Sequence, residues 1–159
     1  IIIKTIQSFV VLLLLSTLII VGGGEKEQAN SNAGKKAKVE NKSSLSAFEL
    51  ENGIGPIKEP VVRNELNKEL AEKGGEIFEM KCSACHKVDQ RYIGPELGNV
   101  LERRTPAYVM NMILNPDGMG KEHPVAKKLL QEYLSPMPNQ GLSKEEARAI
   151  VEYLASSQD

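Results

Sequence analysis

Cys82-Ser83-Ala84-Cys85-His86 is the stretch of sequence from which the fold and the chemistry are best approached. It contains both cysteines of the 159-residue chain, and a histidine follows the second one directly. In a C-x-x-C-H segment the two thiols can add to the vinyl groups of a haem, while the imidazole reaches the iron from one face. The segment therefore predicts one covalently bound haem c, attached through Cys82 and Cys85, with His86 as an axial iron ligand.

Three other interpretations of the two cysteines stay open at this point. A thioredoxin-like redox pair has the same spacing, but it expects a preceding strand, and the sequence pattern around Cys82 is helical. A structural zinc site needs four ligands, and only His123 could add to Cys82, Cys85 and His86. A disulfide between the cysteines is ordinary chemistry for an exported protein.

A second axial ligand has to come from elsewhere in the chain, and Met137 is the favoured candidate. It lies between Pro136 and Pro138 in a loop between two predicted helices. The two prolines reduce the backbone freedom of this loop and help to hold the thioether in place. We therefore predict that Met137 is the second axial ligand of the iron.

The other candidates for this ligand are less well placed. Met110 and Met112 belong to a predicted helix, and Met112 is best interpreted as core packing. Met119 lies between two glycines, which predicts a mobile loop. His123 directly precedes Pro124, so we interpret it as a helix N-cap or a surface residue.

Residues 61–159 are predicted to form an all-α domain of four or five short helices. Apolar residues recur there at steps of three and four, and no comparable period-two run is present. Three helix starts carry recognisable signals: Thr105 before Pro106, His123 before Pro124, and Ser143 with Glu146 in a capping box. The fold class predicted from these patterns is therefore all-α.

Two segments precede this domain. Residues 1–24 include a run from Thr5 to Gly24 without a charge, preceded by Lys4, and predict a signal peptide or membrane anchor. Residues 25–60 carry six lysines and six glutamates with one aromatic residue, Phe48. This composition predicts a disordered charged linker, because few apolar groups are present to offset the entropy of ordering.

Charge excludes one class of partner. The whole chain has 20 Lys and Arg residues against 21 Asp and Glu residues, for a formal net charge of −1. Such a balance produces no large basic surface of the kind that phosphate backbones attract, so we expect no nucleic-acid partner.

The sequence from Leu66 to Ser156 resembles a class I, single-haem bacterial cytochrome c. The resemblance rests on a first helix with Gly74 and Phe78, the C-x-x-C-H segment, a Gly-Pro-x-Leu loop at Gly94, Met137-Pro138 and a last helix ending near Leu154. It implies a cytochrome c-like fold around one covalently attached haem. The segment from Asn115 to Lys121 departs from the family pattern, and we expect it to change the surroundings of the haem edge.

The resemblance also implies particular residue roles. The carbonyl of Pro95 would accept a hydrogen bond from His86 and orient its ring. Met137 would be the distal ligand, and the first and last helices would cross where Gly74 or Gly75 meets Tyr153.

These roles together predict a one-electron carrier of a respiratory chain rather than an enzyme. The expected location is the periplasmic side of the cytoplasmic membrane, either anchored there or released after signal cleavage. The expected partners are redox proteins: a donor such as a quinol-oxidising complex, and an acceptor such as a terminal oxidase or a nitrous oxide reductase. The alternatives are a haem c subunit of a terminal reductase or oxidase, and a haem enzyme or sensor with a labile methionine ligand.

Overall fold

A computed structural model describes residues 44–157, and within this range the protein is helical with no β-strand. Seven helices follow one another along the chain: α1 (Ala47–Asn52), α2 (Lys68–Lys81), α3 (Val100–Arg103), α4 (Pro106–Leu114), α5 (Pro116–Glu122), α6 (Pro124–Tyr133) and α7 (Lys144–Ser156). The all-α prediction is confirmed. Residues 61–157 contain six helices, α2 to α7, rather than the expected four or five, and α1 lies in the segment predicted to be a linker.

The predicted helix starts are all present. Thr105 caps α4 by accepting a hydrogen bond from the backbone N–H of Tyr108 at 3.1 Å. At the start of α7, Ser143 Oγ accepts from the Glu146 N–H at 3.1 Å, and the Glu146 carboxylate accepts from the Ser143 N–H at 2.8 Å. This reciprocal pair satisfies two N–H groups that the first turn of a helix leaves without partners.

The core is organised around the crossing of α2 and α7. Gly74 lies so close to the carbonyl oxygen of Ala149 that a Cβ atom there would collide with it. One position further on, Gly75 faces the ring of Tyr153, and the rings of Tyr153 and Phe78 lie 5.1 Å apart. The contact between Gly75 and Tyr153 is one that the family resemblance implied, and the closest backbone approach is at Gly74.

The prediction that residues 25–60 form a disordered linker is wrong for residues 44–60. Within them Ser46 caps the start of α1 and forms a capping box with Glu49, and Ile57 is buried against the core. The folded domain therefore begins before residue 61. We call residues 44–60 the N-terminal strap.

Residues 1–43 lie outside the described part of the chain, as do the predictions of a signal peptide or anchor and of the first part of the linker. Among residues 44–157, no helix is long and apolar enough to cross a membrane.

The strap is held mainly by polar contacts with α4. Asn111 is completely buried, and its side chain replaces backbone partners that the strap cannot supply itself. Its Oδ1 accepts from the Ile57 N–H at 2.9 Å, and its Nδ2 donates to the carbonyl oxygens of Asn52 at 2.9 Å and Ile57 at 3.0 Å. These bonds connect residues more than fifty positions apart, so the strap is part of the tertiary structure.

Two residues that the sequence suggested were mobile or exposed are in fact buried beneath the strap. Met119 lies in α5 and is fully buried, and its sulfur accepts from the Ile54 N–H at 3.1 Å. His123 caps α6 as predicted, with Nδ1 accepting from the Val125 N–H at 3.2 Å. It is also fully buried, and its Nε2 lies 3.2 Å from the carbonyl oxygen of Leu50 in α1.

Replacing Gly74 with Ala is expected to lower the free energy of unfolding by about 1–3 kcal/mol, because the new methyl group forces α2 away from the Ala149 carbonyl. Lys73→Ala, an exposed position of the same helix, is the matched control and should change stability little. Denaturant unfolding of the two variants measures the difference. Equal stability of the variants would contradict the close helix crossing.

A second prediction concerns His123 and pH. Burial lowers the pKa of His123 below its ordinary value of 6.5, although the carbonyl groups of Leu50 and Glu49 oppose this. The unfolded chain therefore takes up a proton at a higher pH than the folded chain does. The contribution of neutral His123 to the free energy of unfolding is complete above about pH 6.5, and it is lost as the pH falls through the folded-state pKa of His123.

As the pH is lowered from 7.5 to 5, the thermal unfolding midpoint of the parent protein should thus fall. It should fall less in His123→Asn, since asparagine caps a helix but does not titrate. An identical pH dependence in the two proteins would show that His123 does not contribute.

Candidate functional site

An apolar cavity of about 410 Å³ lies beside the C-terminal end of α2. Side chains of α4, α5, α6 and α7 form much of its wall, and the loops around the C-x-x-C-H segment and Met137 complete it. The volume lies in the range of about 300–1,000 Å³ that is usual for small-molecule and cofactor sites. The C-x-x-C-H segment and Met137, which the sequence assigns to the same site, both line this one cavity.

The C-x-x-C-H segment forms a tight turn at the end of α2. The Cys82 N–H donates to the Phe78 carbonyl at 2.8 Å, and the N–H groups of Cys85 and His86 donate to the Cys82 carbonyl at 3.0 and 2.9 Å. The side chains of Cys82, Cys85 and His86 all line the cavity. The turn thus places two thiols and one imidazole together, as the sequence spacing predicts.

The ring of His86 is fixed by two backbone features. Its Nδ1 lies 3.0 Å from the carbonyl oxygen of Pro95. A carbonyl oxygen can only accept, so Nδ1 carries the proton and Nε2 keeps a lone pair available for a metal ion. Gly94 is close enough to the ring that a Cβ at this position would lie 2.8 Å from Nδ1.

The chemical state of the cysteines also bears on the site. Both are free, so the disulfide alternative is absent from the structure. Burial raises the pKa of Cys82 to about 11, and the neighbouring Cys85 adds to this effect. Cys82 therefore keeps its proton and remains a thiol at neutral pH.

The structural-zinc alternative also lacks a set of ligands among the described residues. Nowhere within residues 44–157 do three His, Cys, Asp or Glu side chains come together as a metal-binding group. The thioredoxin-like alternative requires a strand before the cysteines, and Cys82 instead ends a 14-residue helix.

Met137 reaches the same cavity from the loop between α6 and α7. It is half-buried and packs against the main core, which restricts the position of its thioether. The structure thus brings together Cys82, Cys85, His86, Pro95 and Met137, which are the five residues that the sequence assigns to the site.

The competing ligand candidates differ in their availability. His123 uses both ring nitrogens in contacts with Val125 and Leu50, and it does not line this cavity. Met119 is likewise engaged, through the Ile54 N–H. Met112 was interpreted as core packing, and it does line the cavity. The geometry therefore leaves Met137 and Met112 as the methionines that face the site.

The site residues fit a covalently bound haem. A haem needs an enclosure with apolar walls, two sulfurs close to each other and an axial nitrogen donor, and all three are present. Helix α5 contributes to the wall through Pro116 and Gly120. The segment from Asn115 to Lys121 thus lies at the cavity, as the departure from the family pattern indicated.

The family model for cytochrome c matches residues 71–158. The chain belongs to the cytochrome c family. Membership implies a covalently bound haem c and a role in electron transport. No curated protein sequence matches the chain.

Solved structures are similar over a longer range than the family model. A cytochrome c from Rhodothermus marinus is 44% identical, with a TM-score of 0.67 over 71% of this chain and 97% of its own. An engineered cytochrome c from the same organism, bound to a carbene intermediate, is 45% identical with a TM-score of 0.63, covering 69% of this chain and 96% of its own.

Sequence reasoning missed several residues of the cavity wall, among them Arg104, Tyr108 and Met112. The helical spacing of Tyr108 and Met112, four positions apart, was a usable signal that they share one face of α4. No sequence signal indicated that this face borders the cavity, because that depends on how α4 packs against α6 and α7.

Proposed function

We propose that this cytochrome c is a one-electron carrier with a single haem c, attached through Cys82 and Cys85 and ligated by His86 and Met137. The observation that carries the proposal is the state of His86. Its Nδ1 is bound to the Pro95 carbonyl while the ring faces a cavity that Met137 also lines. A second C-x-x-C-H segment is absent from the sequence, which supports one haem per chain.

The protein side chains determine what this site does. Bound haem supplies one-electron redox chemistry at iron, and histidine with methionine ligation raises its reduction potential. His86 and Met137 would both hold the iron of a bound haem, and this would leave no position open for oxygen or peroxide. The apolar wall excludes water, and the packed helices limit rearrangement between oxidation states. Electron transfer at an exposed haem edge is the function that suits this arrangement.

The cellular setting is the second part of the proposal. We propose that residues 1–24 direct or anchor the domain to the periplasmic side of the cytoplasmic membrane. Because the strap is folded, we propose residues 25–43, which lie outside the described part of the chain, as the linker. A flexible segment of that length has a root-mean-square reach of roughly 22–26 Å. This is enough for exchange between neighbouring complexes of a respiratory chain.

The redox partners follow from the same setting. We propose a quinol-oxidising complex as the donor, and a terminal oxidase or nitrous oxide reductase as the acceptor. Co-purification from native membranes identifies them.

The cofactor is tested directly by maturing the full chain together with a haem-attachment system. We expect one covalently bound haem per chain in a pyridine haemochrome assay, and none in the Cys82→Ser/Cys85→Ser double variant. Cys82 and Cys85 supply both attachment points, so their loss removes the covalent bond. A colourless parent protein with two free thiols would contradict the proposal.

The distal ligand is tested with Met137→Ala. We expect loss of the methionine–iron charge-transfer band and a decrease in reduction potential on the order of 0.1–0.2 V, a fraction of the ~0.8 V range that axial ligands cover. Met80→Ala is the matched control, since Met80 is 73% exposed and does not line the cavity.

An unchanged spectrum in Met137→Ala would contradict the assignment. A band lost in Met112→Ala instead would transfer the role to Met112. Strong binding of carbon monoxide by the reduced parent protein at neutral pH would favour a haem enzyme or sensor with a labile ligand over an electron carrier.

A further inference from the structure

Two separate parts of the chain bring the candidate iron ligands to the cavity. His86 belongs to residues 86–98, which we call the proximal loop, and Met137 lies in the loop that follows α6. Helix α6 packs mainly against α5. Because His86 and Met137 line the same cavity, contacts between the proximal loop and α6 determine how far apart the two ligands can move.

Arg91 makes the connection between these two parts. It is an exposed residue of the proximal loop, and its Nη1 donates to Oε1 of Glu132 in the last turn of α6 at 2.9 Å. Its guanidinium carbon also lies 4.1 Å from the ring centroid of Tyr133, well within the range of a cation–π contact. One cation thus holds two consecutive residues at the end of α6.

Within residues 44–157, no other polar contact makes this connection. Apart from the contacts of Arg91, no hydrogen bond, ion pair or cation–π contact joins the proximal loop to α6 or to residues 134–142. The two side-chain hydrogen bonds of the loop that carries Met137 stay within that loop. The position of Met137 therefore depends on its own apolar packing and on where α6 ends.

Arg91 is itself tied to the His86 side of the cavity. The Gly94 N–H donates to the Cys85 carbonyl at 2.8 Å, and the Tyr92 N–H donates to the Gly94 carbonyl at 3.1 Å. These bonds fold the proximal loop back onto the C-x-x-C-H turn. Arg91 therefore connects the end of α6 to the same turn that carries His86.

The backbone directly after the two residues held by Arg91 is strained. Leu134 has a φ of 53°, in the left-handed region that residues other than glycine seldom adopt. Its side chain is 83% exposed, so burial does not compensate for this conformation. A strained residue of this kind persists only when the surrounding structure holds it in place. The strain lies between the contacts of Arg91 and Met137, so the end of α6 needs the support that Arg91 provides.

We propose that Arg91 is a positioning residue for the distal ligand of the haem. By holding the end of α6, it limits how often Met137 moves away from the site. An added ligand reaches the iron only in the open form, in which Met137 has moved away, so its apparent affinity is proportional to the open fraction. The inference rests on the proposed function in taking haem as the occupant and Met137 as its ligand.

The size of the effect follows from the exposure of the contacts. The side chains of Arg91 and Glu132 are 57% and 54% exposed, so their ion pair is weak by itself. Replacing Arg91 removes the ion pair and the cation–π contact together, which should raise the open fraction about three- to tenfold. High salt should produce part of the same effect, because it screens an exposed ion pair.

Imidazole, a small ligand, measures the open fraction in the oxidised full chain with covalently bound haem. The apparent dissociation constant of imidazole should be lower in Arg91→Gln than in the parent protein by the factor given above. Glu132→Gln should lower it less, because the cation–π contact remains. The double variant should bind imidazole no more tightly than Arg91→Gln, since both changes remove the same ion pair.

Matched variants separate this contact from a general effect of charge. Lys128→Gln removes the same charge from an exposed residue of α6 that does not line the cavity and forms no ion pair with residues 44–157. It should leave the imidazole affinity unchanged. Arg91→Lys keeps the charge but not the planar guanidinium, and it should restore the affinity of the parent protein in part.

Amide hydrogen exchange tests the same contact without an added ligand. The Leu134 N–H donates to the Leu130 carbonyl at 2.9 Å at the end of α6. It should exchange faster in Arg91→Gln, because the end of α6 opens more often. The Asn115 N–H, which closes the end of α4, should exchange at the rate of the parent protein.

The proposal is overturned if Arg91→Gln and Glu132→Gln bind imidazole as the parent protein does, or if Lys128→Gln changes the affinity as much as Arg91→Gln. A parent protein that shows the methionine–iron band but whose Arg91 variants are unchanged contradicts the role of Arg91 alone. A parent protein that binds no haem, or binds it without a methionine ligand, contradicts both this inference and the proposed function.

Discussion

The contact between Gly74 and the carbonyl of Ala149 determines how closely α2 and α7 pack, and the site depends on that distance. The end of α2 carries the two cysteines and the histidine, while α7 contributes Ile150 and Leu154 to the opposite part of the cavity wall. A wider separation would move the haem attachment points relative to the wall against which the haem packs. The lack of a Cβ atom at Gly74 therefore allows the close helix crossing on which the shape of the cavity depends.

Local sequence signals predicted much of this architecture. Thr105, His123 and Ser143 cap the helices that they were expected to cap, because an N-cap is formed by residues within one turn of each other. The C-x-x-C-H segment was informative for the same reason, since its three side chains meet through a local turn. The strap was missed because a count of its apolar residues could not reveal the side chain of Asn111 that holds it.

The strap did carry a local signal of its own. Ser46 and Glu49 have the same spacing and make the same capping box as Ser143 and Glu146. The low apolar content of residues 25–60 predicts disorder, whereas the capping box indicates the helix that the structure contains. Arg104 and Tyr108 could not be recognised as cavity-lining residues in this way, because the residues that border the cavity are determined only by how the helices pack.

We propose that one haem c lies in this cavity with His86 and Met137 as its axial ligands. The chain has five methionines, and carbon-13 labelling of their methyl groups followed by NMR of the reduced, haem-loaded protein tests the claim most directly. The methyl group of a methionine whose sulfur binds the iron would lie over the haem ring and experience a large ring-current shift. We expect one strongly shifted methyl signal, belonging to Met137. Five unshifted signals, or a shifted signal that belongs to another methionine, would contradict it.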